Sequence, residues 1–319
     1  MQERTVSVYN LVVFEQHRAE EFTEALQPQF PEVAMYAASN AERLAELVEE
    51  MDILLAFGIP DELLRRASKL QWIQGLGTGV DYITNLPSLR KDMIVTSMRG
   101  IHGPQMSEMA FLQMLALGRN FPQMVRNQDL AIWEPWPAKL LWKKKVGILG
   151  LGVIGEELAR KCKAFGMSIY GIDIVRKESD SVDYFFGPQD VAKVAAEVDY
   201  LILVAPYTPQ TYKIVDRKVL SAMKPTAFLV NIARGELVDE DALIEALSTG
   251  EIAGAALDAL VQEPLPSDHP FWKMKNVILT SHVGGRSDIY VEQTLPIIEE
   301  NLRRFLKGER KDLVNFVTL

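Results

Sequence analysis

The chain has 319 residues, of which 48% are apolar and 24% are charged, and it contains one cysteine, Cys162. A globular chain longer than roughly 250 to 300 residues usually forms more than one core, so we expect two domains. The net charge of −9 disfavours nucleic acid and anionic membranes as partners. One cysteine forms neither an internal disulfide nor a thiolate metal cluster, so we expect a reducing, cytoplasmic location and no metal.

Membrane insertion and secretion are not expected either. The longest run of apolar residues and glycine, 146–155, is about half of the roughly 18 residues that a membrane-spanning helix requires. The first residues lack the basic, apolar and small-residue regions of a secretory signal, so we expect a mature start.

Short apolar runs alternate with amphipathic helical patterns along the chain. The candidate strands are 5–13, 53–57, 70–73, 93–97, 146–149, 168–172, 200–205, 227–231, 253–257 and 276–280. The clearest helical patterns are 108–117, 155–165, 239–247 and 288–306. This alternation predicts an α/β protein with two doubly wound parallel sheets, because strands covered on both faces are apolar throughout.

Two proline-containing segments carry further predictions. The stretch Trp-Glu-Pro-Trp-Pro at 133–137 cannot form regular helix and is expected to be a surface loop. Pro296 lies inside the last helical pattern, where it removes a donor to the carbonyl of Glu292, so a kink is expected.

The sequence GLGVIG at 150–155 lies between a predicted strand and a predicted helix. In this context Gly150 permits a tight turn, Gly152 lets the backbone approach a pyrophosphate, and Gly155 allows close packing of helix and strand. The start of the helix, with Val153 and Ile154, adds free amides and the positive end of its dipole. The pattern predicts a dinucleotide site.

Asp173 follows the next strand, where such folds place a carboxylate that binds the ribose. A carboxylate accepts hydrogen bonds from two ribose hydroxyls and repels a 2′-phosphate, so Asp173 favours NAD. Arg176 and Lys177 follow closely, which leaves NADP as an alternative. The simpler interpretation, a glycine turn and a residue that merely ends a strand, is disfavoured by the combined spacing.

Arg234, Glu263 and His282 each follow a predicted parallel strand, and strand carboxyl ends are where open α/β sheets build their sites. They stand in or near the segments NIARGELVD at 231–239, ALD at 256–258, EPLP at 263–266 and SHVGG at 281–285. With these segments, in this order, the chain resembles the D-2-hydroxyacid dehydrogenase family, and in particular glyoxylate and hydroxypyruvate reductases, over nearly its whole length.

The three residues suit the reduction of a 2-keto acid. A guanidinium such as that of Arg234 can bind the substrate carboxylate and carbonyl and stabilise the oxyanion that forms under hydride attack. His282 can give the alkoxide its proton in reduction and remove it in oxidation. Glu263 beside it would fix the imidazole tautomer and favour the charged form. The resemblance implies the same roles.

The resemblance also implies a domain plan. A Rossmann NAD domain, 102–289, is inserted in a flavodoxin-like substrate domain, 1–101 with 290–319, and the site is expected in the cleft between them. Backbone amides of Leu76 and Gly77, in a glycine-rich loop that could otherwise be a simple turn, are expected to bind the substrate. Further cofactor contacts are expected at Ala205, Pro206, Thr211, Ile232, Ala233, Asp258 and Gly284. A homodimer is implied, with Trp133 and Trp136 as candidate interface residues.

The expected reaction is reversible reduction of a small 2-keto acid by NADH to the D-2-hydroxy acid. Two alternatives stay open: a phosphite dehydrogenase, which has similar acid–base residues, and an NAD-sensing corepressor or scaffold of the same fold. Glu263 argues against a formate dehydrogenase, since those relatives have glutamine there. From the length of 319 residues we expect none of the regulatory domains of long phosphoglycerate dehydrogenases. The particular keto acid is not determined by the sequence.

Overall fold

A computed structural model describes residues 9–318, so the predicted beginning of the first strand at residue 5 lies outside the described residues. The chain divides into two compact units, Met1–Ile101 with Ser287–Leu319, and His102–Arg286. The second unit is therefore inserted in the first. The chain re-enters the first unit at Ser287, against the predicted 290.

The first unit contains one sheet of five parallel strands in the order β2-β1-β3-β4-β5, which is the flavodoxin-like order. Its strands are β1 (Tyr9–Phe14), β2 (Val33–Ala38), β3 (Ile53–Ala56), β4 (Trp72–Gly75) and β5 (Ile94–Thr96). Its helices are α1 (Ala19–Leu26), α2 (Ala41–Leu47), α3 (Asp61–Arg66), α4 (Asp81–Thr84) and, after the inserted unit, α11 (Tyr290–Leu306).

The C-terminal helix α11 belongs to the core of the first unit. Its buried residues Ile298, Leu302 and Phe305 share one apolar cluster with Trp72 of β4, and the rings of Trp72 and Phe305 stack with centroids 5.3 Å apart. The helix continues through Pro296 as one element, and the predicted kink stays a prediction. Burial of this apolar face explains why the chain returns to the first sheet after the inserted unit.

The second unit contains seven parallel strands in the order β12-β11-β10-β9-β6-β7-β8, the Rossmann order extended by one strand. Its strands are β6 (Lys145–Leu149), β7 (Ser168–Ile172), β8 (Tyr184–Phe186), β9 (Tyr200–Leu203), β10 (Phe228–Asn231), β11 (Gly254–Leu257) and β12 (Val277–Leu279). Its helices are α5 (Gly103–Arg119), α6 (Phe121–Asp129), α7 (Val153–Ala164), α8 (Val191–Glu197), α9 (Arg217–Ala222) and α10 (Glu240–Thr249).

Apolar side chains cover both faces of this second sheet. In β9, Leu201 and Leu203 lie in one apolar cluster, whereas Tyr200 and Ile202 lie in another. Because successive side chains of a strand point to opposite faces, the two clusters flank the sheet. This two-sided burial is why the central strands are apolar throughout. The predicted fold class is confirmed.

Several elements, among them β2, β8 and α6, were not predicted by range. Strand β2 has intermediate or exposed residues at its centre and β8 has only three residues, and both lie at the edge of a sheet. Helix α6 buries only Asn127, and its apolar residues Phe121, Met124 and Val125 are exposed. Helix α5 begins earlier than predicted, at Gly103, because proline is accepted in the first turn of a helix. Residues 132–140 form neither helix nor strand, in keeping with the predicted loop.

No helix within residues 9–318 combines the length and apolar character needed to cross a membrane.

Candidate active site

The glycine-rich turn between β6 and α7 has the geometry that a dinucleotide site needs. Gly150 has a φ of 99°, and a Cβ atom there would lie 2.7 Å from the amide nitrogen of Ala205. A Cβ atom at Gly155 would lie 2.0 Å from the carbonyl oxygen of Gly150, whereas one at Gly152 would meet no atom within 4 Å. Gly150 and Gly155 thus close the turn, and the space over Gly152 is open to a ligand, beside the first amides of α7 at Val153 and Ile154.

Asp173 stands at the end of β7 and joins two backbone segments. Its carboxylate accepts hydrogen bonds from the amides of Leu151 at 2.7 Å, Val175 at 2.7 Å and Arg176 at 3.0 Å. Burial by itself raises the pKa of Asp173, but the three amides and the Arg176 charge outweigh it, so the pKa is lowered. The ionised form therefore stabilises this turn at neutral pH, and that contribution is lost as the pH falls through the lowered pKa.

The cations that follow Asp173 are already engaged. The guanidinium of Arg176 lies 3.1 Å from the carboxylate of Glu156, and the amine of Lys177 donates to the carbonyl of Asp173 at 3.1 Å. Any binding of a 2′-phosphate by Arg176 would compete with Glu156.

Glu263 and His282 form a direct pair. The Nδ1 atom of His282 lies 2.8 Å from one carboxylate oxygen of Glu263, and the other oxygen accepts the amide of Leu260 at 2.9 Å. Burial raises the pKa of Glu263, but the bonds from His282 and Leu260 and the charges of His282 and Arg234 outweigh it, so the pKa is lowered. Glu263 is thus ionised at neutral pH and leaves Nε2 of His282 to exchange a proton.

Arg234 follows β10 and is held there by its backbone. Asn231, at the end of β10, donates from its side chain to the carbonyl of Arg234 at 2.8 Å and accepts the amide of Ala233 at 3.0 Å. The guanidinium donates to the carbonyl of Ala233 at 2.8 Å, and its charge contributes to the lowered pKa of Glu263. The three predicted catalytic residues therefore come together at the carboxyl ends of β10, β11 and β12.

Comparisons with known proteins assign the family. The sequence model of the D-isomer specific 2-hydroxyacid dehydrogenase NAD-binding domain matches residues 111–284. This chain belongs to the D-isomer specific 2-hydroxyacid dehydrogenases. That match lies inside the second unit, which is therefore the NAD-binding domain of this dehydrogenase.

Named relatives are similar over most of the chain. A D-3-phosphoglycerate dehydrogenase from Methanocaldococcus jannaschii is 33% identical over 87% of this chain, which spans only 54% of that protein. A glyoxylate reductase from Korarchaeum cryptofilum is 32% identical over 86% of this chain and 85% of its own length. A D-isomer specific 2-hydroxyacid dehydrogenase family protein from Aeromonas salmonicida has a crystal structure with a TM-score of 0.87 and 30% identity, covering 97% of this chain and 98% of its own.

The remaining cofactor candidates of this dehydrogenase line the same sheet edge. Ile232 and Ala233 are buried after β10, and Ala205 packs on Gly150. The hydroxyl of Thr211 donates to the carbonyl of Pro206 at 2.8 Å and accepts the amide of Thr208 at 2.7 Å, so it shapes the turn after β9. Their contacts with a cofactor stay predictions.

Asp258 has a larger structural role than its sequence position indicated. It is 1% exposed, and its carboxylate accepts hydrogen bonds from the Thr280 hydroxyl at 2.5 Å, the Val283 amide at 3.1 Å and the Gly284 amide at 2.9 Å. Asp258 thus ties the loop that carries His282 to β11. Neither Asn231 nor Thr280 was singled out by the sequence, because a strand-end amide or hydroxyl has no distinctive spacing.

The glycine-rich loop of the first unit fits its predicted role only in part. The amide of Leu76 donates to the carbonyl of Ala56 at 2.8 Å, and the carbonyl of Leu76 accepts the hydroxyl of Tyr290. Both backbone groups of Leu76 are therefore engaged, which removes the reason for choosing its amide as a substrate donor. A Cβ atom at Gly77 would lie 2.5 Å from the Tyr82 hydroxyl and 3.0 Å from the carbonyl oxygen of Gly79, so space at Gly77 is tight, and its substrate contact stays a prediction.

Replacement of Asp173 with asparagine is expected to lower the ratio of kcat/KM for NADH to kcat/KM for NADPH by about ten-fold or more, because the negative charge that would repel a 2′-phosphate is removed. The measurement is the ratio of kcat/KM values for the two cofactors. Glu178→Gln, a change of a nearby exposed carboxylate, is the matched control and should leave the ratio unchanged. An unaltered ratio in Asp173→Asn would show that another residue distinguishes the ribose 2′-hydroxyl of NADH from the 2′-phosphate of NADPH.

Proposed function

We propose that this dehydrogenase reversibly reduces a small 2-keto acid to the D-2-hydroxy acid, with NADH as the hydride donor. The observation that carries the proposal is the His282–Glu263 pair at 2.8 Å, with the charge of Arg234 acting on the same carboxylate. The glyoxylate reductases among the relatives support a small keto acid as substrate.

Each residue has a defined part in the reduction. Arg234 binds the substrate carboxylate and carbonyl oxygen and stabilises the negative charge that develops on that oxygen. NADH, when bound at the glycine-rich turn of the second unit, would supply the hydride for the carbonyl carbon. His282 gives the proton on Nε2 to the carbonyl oxygen and regains one from solvent, while Glu263 holds the proton on Nδ1. In the oxidative direction the proton returns to Nε2.

The turn at Gly150, Gly152 and Gly155 suits the cofactor. The open space over Gly152 admits a pyrophosphate, and the amides at the start of α7 supply donors to it. Asp173 favours NADH by its charge, and the pairing of Arg176 with Glu156 works in the same direction.

The test is a panel of glyoxylate, hydroxypyruvate, pyruvate and longer 2-keto acids, each with NADH and with NADPH, followed by cofactor absorbance. Turnover of a small keto acid with NADH supports the proposal. Oxidation of phosphite with NAD and no keto acid turnover would favour the phosphite alternative. Cofactor binding without turnover of any of these compounds would favour the corepressor or scaffold.

Replacement of Glu263 with glutamine is expected to lower kcat by about ten-fold or more and to remove from the pH profile the loss of rate that follows protonation of Glu263 as the pH falls through its lowered pKa. The uncharged amide no longer favours the protonated imidazole, whereas the native carboxylate is ionised above its lowered pKa. Glu240→Gln is a matched control, since Glu240 lies 3.3 Å from His269 outside the site. A pH profile unchanged from the wild type would contradict the role of Glu263.

We further propose that the dehydrogenase forms a homodimer through α6 and the loop that follows. Leu130, Ile132 and Trp133 are 67%, 49% and 97% exposed, an apolar run that a second copy could cover. Light scattering after size exclusion should give about twice the chain mass of 35.9 kDa, and Trp133→Ser with Leu130→Ser should lower that mass. Trp272→Ser, at another exposed tryptophan, is the control. A monomeric wild type would overturn the proposal.

A further inference from the structure

The carboxylate of Asp258 is buried and bound by hydrogen bonds. Within residues 9–318 it has no ion-pair partner, although it is only 1% exposed. Its three hydrogen-bond donors are one hydroxyl and two backbone amides. A buried carboxylate is expected to hold its donors strongly, because bonds to an ionised acceptor are shorter and stronger than neutral ones.

Two of those donors directly follow His282 in the chain. The amides of Val283 and Gly284 bind the two different oxygens of Asp258, so the carboxylate clamps the backbone next to the imidazole. His282 itself has a φ of 52°, in the left-handed region that non-glycine residues rarely adopt. Such a conformation persists only where the surroundings hold it. Close contact at Gly284, where a Cβ atom would lie 2.8 Å from Asp258, adds to this restraint.

The orientation of Asp258 is in turn set from α5. Gln113, which is 1% exposed, donates from Nε2 to the Thr280 hydroxyl at 3.2 Å, and that hydroxyl donates its single proton to Asp258 at 2.5 Å. The remaining oxygen of Gln113 is buried and has no partner within the described residues. An apolar side chain would avoid the cost of this unsatisfied acceptor, so stability alone does not explain a glutamine here.

We propose that Gln113 and Thr280 are positioning residues of the reaction, which hold His282 in its reactive place through Asp258. This inference rests on the proposed function, and it assigns Asp258 a task besides any contact with the cofactor. A displacement of the imidazole by a fraction of the proton-transfer distance would lower the rate without removing a substrate or cofactor contact.

The test compares Thr280→Val, which removes the hydroxyl and keeps the shape, with Thr280→Ser, which restores it. Thr280→Val should lower kcat by about ten-fold or more, with KM for NADH changed by less than about three-fold, and Thr280→Ser should recover most of the rate. Gln113→Leu should lower kcat in the same way by a smaller factor. Ser281→Ala, the adjacent exposed hydroxyl outside this network, is the control and should retain the wild-type rate.

A second measurement does not depend on the substrate. Ring resonances of His282 in NMR spectra, assigned by their loss in His282→Asn, should shift in Thr280→Val and Gln113→Leu and return in Thr280→Ser. A wild-type enzyme without keto acid turnover would contradict the proposed function, and these resonances would still decide the positioning. Unshifted resonances, or a loss of kcat in Ser281→Ala equal to that in Thr280→Val, would overturn the inference. If Thr280→Val fails to fold, the inference is tested by comparing kcat and the His282 resonances of Gln113→Leu with those of Ser281→Ala.

Discussion

Replacement of His282 with asparagine is expected to lower kcat for keto acid reduction by about 100-fold or more, which corresponds to about 2.7 kcal/mol of transition-state stabilisation. Asparagine lacks an acid that can give its proton to the developing alkoxide. It is a better choice than alanine because asparagine tolerates the left-handed backbone at this position, where φ is 52°. The loss measured is then that of the imidazole and not of the loop conformation.

The matched control is His269→Asn. His269 also lies next to a carboxylate, that of Glu240 at 3.3 Å, and its side chain accepts the amide of Phe271, a cap that asparagine can supply. Stopped-flow or steady-state absorbance of NADH at saturating substrate gives kcat for both variants. A rate near that of the wild type in His282→Asn would remove His282 from the mechanism. Equal losses in both variants would point to a general effect of histidine replacement.

Replacement of Arg234 with alanine is expected to lower kcat/KM by about 100-fold or more, because one side chain binds the substrate carboxylate and stabilises the oxyanion. The backbone conformation at this position should be unchanged. The side chain of Asn231 holds it through the carbonyl of residue 234 and the amide of residue 233, and these two hydrogen bonds do not involve the Arg234 side chain. The effect should therefore appear in kinetics and not in folding.

Arg234→Lys separates charge from geometry. Lysine keeps the positive charge near Glu263 but lacks the planar fork that binds a carboxylate and a carbonyl together, so we expect an intermediate rate. Arg217→Ala, an exposed arginine paired with Glu245 at 3.0 Å, is the control for loss of a surface cation. Kinetics of Arg234→Ala indistinguishable from those of the wild type would contradict the assigned role, and full activity in Arg234→Lys would show that charge alone suffices.

The sequence predicted the central elements well because their signals are local. Strand β9 and residues 146–149 of β6 carry no polar side chain except the buried Tyr200, and Gly150 and Gly155 of the turn after β6 stand at positions where a Cβ atom would clash with the backbone. Of the elements that were missed, β2 and β8 are edge strands, and α6 buries a single residue. Partial exposure of an element dilutes the apolar periodicity on which such predictions depend.

The candidate site likewise has features that the sequence predicts and features that it does not. Charged residues after parallel strands can be found from the sequence, because the topology brings strand ends to one edge of the sheet. The sequence does not show which donors and acceptors are already hydrogen-bonded within the protein. Leu76 was expected to offer its amide to a substrate, but that amide binds Ala56. Nothing in the sequence indicated that the two oxygens of Asp258 also bind the loop of His282, and its contact with the cofactor stays a prediction.

The sequence by itself predicted the α/β fold class, the glycine-rich turn and the three candidate catalytic residues, since these follow from periodicity, from the absence of a side chain at defined positions and from the order of strands. The nested domain plan came from the resemblance to the dehydrogenase family. Only the tertiary structure decided how the candidate residues are held. It pairs Glu263 with His282, engages Arg176 with Glu156, and links Gln113 through Thr280 to Asp258. These links join residues distant in the chain, and their distances depend on packing between elements, which no local pattern encodes.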